Sequence, residues 1–89
     1  MSKVVTDLFN FPCSFPVKVI GKDTVGFKEI VTEIIRRHVP ELDADAVTTR
    51  PSAGGKYIAV TATFVAQSRE QLDAMYLELS GHEQVLYVL

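Results

Sequence analysis

Two histidines, one cysteine, a glycine pair and a pair of glutamates are the residues whose types could carry chemistry in this chain. His38 follows Arg36 and Arg37 at the end of an amphipathic stretch. A cationic imidazole there is favoured by the negative end of a helix, typically by about 0.3–1 kcal/mol. As a general base it would need an orienting partner, and Glu41 is the nearest carboxylate in the sequence. His82 stands beside Glu83, far along the chain from His38, with no HxxxH or CxxC spacing to build a metal site. Cys13, between Pro12 and Ser14, has no local base or helix start to lower its pKa and reads as a spare thiol. Gly54-Gly55 lacks the flanking residues of a phosphate-binding loop and fits a hairpin that needs positive φ. Glu29 and Glu33 lie one helical turn apart on a wet side, where water screens both. No catalytic residue, cofactor or metal ligand follows from these candidates, and the reading is not an enzyme.

The composition supports that reading. A chain of 89 residues makes one small domain, and 47% apolar with 22% charged residues is a globular balance. Nine Lys and Arg against eleven Asp and Glu give a net charge of −2, so no global field attracts phosphate backbones or anionic lipid. The apolar runs fall far below the roughly 20 residues needed to span a bilayer. The segment Met1-Ser2-Lys3-Val4-Val5-Thr6-Asp7 lacks a signal peptide's apolar stretch. The expectation is a cytoplasmic single domain.

The elements that must position any site follow from periodicity. Residues 1–14, with Val4, Val5, Leu8, Phe9 and Phe11, read as an N-terminal arm, and residues 15–89 as the core. Phe15, Val17 and Val19 alternate with Pro16, Lys18 and Ile20, a first strand ending at Gly21. Asp23 or Thr24 can cap a helix whose stripe is Phe27, Ile30, Val31, Ile34 and Ile35, stopped by Pro40. Val47–Pro51 and Lys56–Ala66 read as a hairpin around Ser52-Ala53-Gly54-Gly55. Ser68-Arg69-Glu70-Gln71 is a capping box opening a helix that buries Leu72, Met75, Tyr76 and Leu79, with Gly81 suited to an αL stop. Val85–Leu89 is a fourth strand. The order β-α-β-β-α-β predicts a ferredoxin-like α+β sandwich, a four-stranded mixed sheet with both helices on one face.

One sheet face then stays open. Parity places Lys18, Arg50, Tyr57, Thr61, Thr63, Leu86 and Val88 on it, and this is the candidate interaction surface. An ordinary solvated sheet with threonines is the plain reading of this face; a protein partner or self-association is the functional one, and a small metabolite is a further ligand it could take. An RNA-binding platform is the alternative, since RNA-recognition domains share the topology. A single outward aromatic, Tyr57, and the negative net charge count against nucleic acid.

The segments Leu8-Phe9-Asn10-Phe11-Pro12, Lys18-Val19-Ile20-Gly21, Arg37-His38-Val39-Pro40, Pro51-Ser52-Ala53-Gly54-Gly55-Lys56-Tyr57 and Tyr76-Leu77-Glu78-Leu79 resemble the bacterial YbeD-like family of small proteins of unassigned function. The resemblance runs through nearly the whole chain in one register. It implies a ferredoxin-type domain similar to ACT-type regulatory domains, which sense a small metabolite at a subunit interface. Gly21 and Gly26 flank the turn that such domains use for a ligand. The resemblance also implies a neighbourhood with lipoate-attachment genes, and it carries over no catalytic residue.

Overall fold

The computed structural model describes residues 11–52 and 54–89. The arm residues Val4, Val5, Leu8 and Phe9 lie outside the described residues. Among the described residues, four strands and two helices run in the predicted order. They are β1 (Cys13–Lys22), α1 (Phe27–His38), β2 (Val47–Pro51), β3 (Tyr57–Ala66), α2 (Arg69–Ser80) and β4 (Val85–Val88), with a 3₁₀ turn at Ala44–Ala46 before β2. Strand β1 starts two residues before the expected boundary, so Cys13 and Ser14 belong to the sheet rather than to an arm.

The sheet order is β2-β3-β1-β4, and each neighbouring pair is antiparallel. The expected mixed sheet is therefore corrected to a fully antiparallel one. Each helix does connect two parallel strands, but a third strand lies between them: β3 separates β1 from β2, and β1 separates β3 from β4.

The inner face carries Val17, Val19, Val60, Ala62, Phe64 and Ala66, all buried. Phe27, Val31, Ile34 and Ile35 of α1, with Leu72, Met75 and Leu79 of α2, close over it. Ile30 and Tyr76 sit at the margin, partly buried. The period-two and helical stripes read from the sequence thus meet in one layer, and neither helix covers the outer sheet face.

The helix ends differ in part from expectation. The N-cap of α1 is Gly26, at φ 89°, and neither Asp23 nor Thr24 caps with its side chain. The chain leaves β1 through a tight turn in which Phe27 N donates to Thr24 O, so the helix starts only after the left-handed residue. Gly81 ends α2 in right-handed geometry, φ −82°, not αL, with its N–H donating to Leu77 O.

Ser68 behaves as the sequence predicts, its Oγ accepting from Gln71 N at 3.1 Å. Gln71 completes the cap one residue early, its Oε1 accepting from Gln67 N at 2.7 Å. Ser68→Ala should lower stability by about 1 kcal/mol, the usual worth of a side-chain cap. Urea titration checks this, and an unchanged midpoint would show that Gln71 alone holds the helix start.

Candidate functional site

Strand register fixes the outer face residue by residue. Arg50 of β2 pairs with Ala59 of β3, Ala59 with Ile20 of β1, and Ile20 with Tyr87 of β4. These four residues form one row across the whole sheet. The next row holds Thr48, Thr61 and Lys18. On the other side, Lys22 faces Tyr57. Thr63 pairs with Pro16 towards the far end. Rows on one face are about 7 Å apart along a strand, and neighbouring strands about 4.8 Å apart.

Six of the seven predicted surface residues, Lys18, Arg50, Tyr57, Thr61, Thr63 and Leu86, do share this face. Val88 does not: it pairs with the buried Val19 and packs against the core. The register shifts between Ile20 and Gly21, whose partners are Tyr87 and Val85. Leu86 is thus the extra residue of a β-bulge, and two consecutive side chains turn outward. Leu86 is 50% and Tyr87 54% exposed, while Val85 is buried. Strict alternation through Val85-Leu86-Tyr87-Val88 misplaced Val88 and missed Tyr87, because nothing in that apolar run marks a bulge. Lys22 was missed for a simpler reason: the strand extends one residue past Gly21, and the same parity carries Lys22 outward.

The face has two halves that share Arg50 and Ala59. An open groove of about 540 Å³ is lined by Ile20, Arg50, Tyr57, Ala59, Leu86 and Tyr87. Beside it lies a polar depression of about 420 Å³ with Lys18, Thr48, Thr49, Arg50 and Thr61. Small Ala59, at the centre, provides the low floor between larger neighbours. The electrostatics are one-sided: none of the four strands among the described residues contains an Asp or Glu, whereas Lys18, Lys22 and Arg50 all stand exposed on the outer face. None of these three cations makes an ion pair among the described residues. A chain of net charge −2 therefore carries a locally positive sheet face.

His38 has a different setting. Its Nε2 lies 2.8 Å from Glu78 Oε1, so its carboxylate partner comes from α2 and is not Glu41. Arg37 pairs with the other oxygen of Glu78. Gln71 Nε2 donates to the His38 carbonyl at 2.7 Å. The cluster ties the C-terminal end of α1 to α2, a bridging role that the helix-end position foreshadowed only in part. His82 Nδ1 accepts from Gln84 N at 3.1 Å, which shapes the turn into β4. The Tyr76 hydroxyl donates to Leu89 O at 3.0 Å, and burial raises its pKa above the ordinary value. Among the described residues, no group of three metal-ligating side chains converges, and no helix is long and apolar enough to cross a membrane.

Comparison with solved structures agrees with the topology. The C-terminal domain of MgtC from Mycobacterium tuberculosis superposes with a TM-score of 0.68 at 20% identity, covering 91% of this chain and 88% of that one. The ACT domain of a GTP pyrophosphokinase from Chlorobium tepidum gives 0.65 at 13% identity, covering 85% and 84%. At these identities the likeness is one of fold.

Sequence relatives are much nearer. A UPF0250 protein of Paraburkholderia phytofirmans is 48% identical over 89 residues, the full length of both chains. A UPF0250 protein of Chromobacterium violaceum is 45% identical, again over the full length of both. That of Neisseria gonorrhoeae is 43% identical over 84 residues, covering 94% of this chain and 92% of its own. The family described as a protein of unknown function, DUF493, matches residues 6–89. With the antiparallel β-α-β-β-α-β fold, this match over nearly the whole length places the chain in the DUF493/UPF0250 family of small bacterial proteins, as the YbeD-like resemblance implied.

Proposed function

We propose that this chain is a non-catalytic regulatory or interaction module whose working surface is the open face of its sheet, and whose ligand is a partner protein. The observation that carries the proposal is the pairing, on the sheet face that neither helix covers, of an apolar groove with cations that make no ion pair among the described residues. An ordinary wet sheet does not need Tyr57, Leu86 and Tyr87 gathered beside Ile20, whereas an apolar patch rimmed by polar residues is a common mark of a contact. The ACT-type neighbours support a regulatory role through their fold. The neighbourhood with lipoate-attachment genes that the YbeD-like resemblance implies suggests a pathway for the partner, and the reading does not depend on it.

Placing a photo-crosslinking residue at Tyr57 or Tyr87, and in parallel at Lys28 or Glu70 on the helix side, tests this in cells. Adducts should form from the two sheet positions and not from the helix positions. Adducts from Lys28 or Glu70 alone would overturn the proposal, and adducts to RNA from Tyr57 and Tyr87 would replace it by the nucleic-acid reading.

A further inference from the structure

We infer, resting on that reading, that the partner is a different chain presenting an extended acidic segment, with carboxylates flanking one apolar side chain at alternate positions. Three features of the outer face define this occupant. The first is charge: Lys18, Lys22 and Arg50 have no carboxylate on any of the four strands and make no ion pair among the described residues, so an acidic surface is the complementary one. The second is symmetry. A two-fold contact of this face with a second copy would bring the same three cations together with no acid on any of the four strands to offset them, and like charges brought together disfavour association.

The third feature is spacing. Lys18, Ile20 and Lys22 succeed one another along one side of β1, so their Cα atoms are about 7 Å apart and the two lysines about 13 Å. Arg50 stands two strands away in the middle row, about 10 Å from Ile20. The cations thus form a triangle around Ile20 and Ala59, where the groove has its floor. A strand laid over this face presents its own alternate side chains at the same interval of about 7 Å. An acidic residue, an apolar residue and a second acidic residue at alternate positions meet Lys18, the Ile20–Ala59 floor and Lys22 in turn. Arg50 reaches whichever carboxylate lies nearer β2. Tyr57, Leu86 and Tyr87 then wall the apolar side chain on either flank. Long-range steering is weak because the chain is negative overall, so recognition depends on this short-range match.

The test uses a labelled, capped peptide with two glutamates flanking a phenylalanine at alternate positions, and an otherwise identical peptide with lysines in place of the glutamates. Fluorescence anisotropy should show the glutamate peptide binding at least about fivefold tighter at low salt, with the difference shrinking as salt rises. Lys18→Glu combined with Arg50→Glu should reverse the preference, while a retained amide spectrum shows that the fold is intact. Equal affinity for both peptides, binding to neither, or tighter binding of a single-stranded RNA of similar length would overturn the inference. Concentration-dependent dimerisation lost on Tyr57→Ala would do so as well. If Tyr57 crosslinks a protein in cells but that adduct is not competed by the glutamate peptide, the face remains the working surface and only the acidic segment is wrong.

Discussion

Gly21→Ala should be among the most damaging single substitutions in this protein. Gly21 lies on the core side of β1, opposite Val85, where the bulge resets the pairing with β4. A methyl group there would stand 2.6 Å from the backbone oxygen of Gln84 and would collide with the ring of Phe27. Neither neighbour can yield cheaply. Phe27 is 1% exposed, wedged beneath the start of α1, and the Gln84 oxygen belongs to the main chain entering β4. Overpacking in a filled core usually costs about 1–3 kcal/mol, and a backbone collision lies at the upper end. Small domains have roughly 5 kcal/mol to lose, so the variant should be mostly destabilised and β4 should be the first strand released. Urea denaturation and amide exchange check this. A variant that melts with its parent would mean that Phe27 has another place to go.

Ile35→Ala is the second large expectation. Ile35 is wholly buried, on the side of α1 that faces the sheet, so truncation removes packed atoms and leaves a cavity under the inner face. The cost should be about 2–5 kcal/mol. Leu77→Ala is the matched control on the other helix, since Leu77 is 75% exposed and substitution there should stay within about 0.5 kcal/mol. Similar midpoints for both variants would mean that the assigned face of α1 is wrong.

Much of this architecture was legible in the sequence because it rests on local, repeating constraints. The stripe from Phe27 to Ile35 and the alternation from Ile58 to Ala66 each fix a face without reference to the rest of the chain. Ser68 capped its helix as expected because a side-chain cap is itself local. What was not legible depended on pairing between distant segments. The sheet is antiparallel throughout because of which strand lies between which, and no single strand encodes that order. The bulge at Leu86 arises where β4 meets Ile20 and Gly21, so Tyr87 gained its place on the outer face, and Val88 lost one, through contacts that alternation ignores. His38 found Glu78 rather than Glu41 for the same reason, since the packing of α2 on α1 decides which carboxylate is near. The positive field of the outer face was present in the sequence as the absence of acids from four strands. Net charge, the quantity usually read first, conceals it.

The claim that the open sheet face is the working surface meets its most direct test in amide chemical-shift mapping of the labelled chain with the protein that crosslinks to it. The largest shifts are expected on Lys18, Ile20, Arg50, Tyr57, Ala59, Thr61 and Tyr87. Shifts confined to the solvent sides of α1 and α2, with those seven residues unmoved, would contradict it.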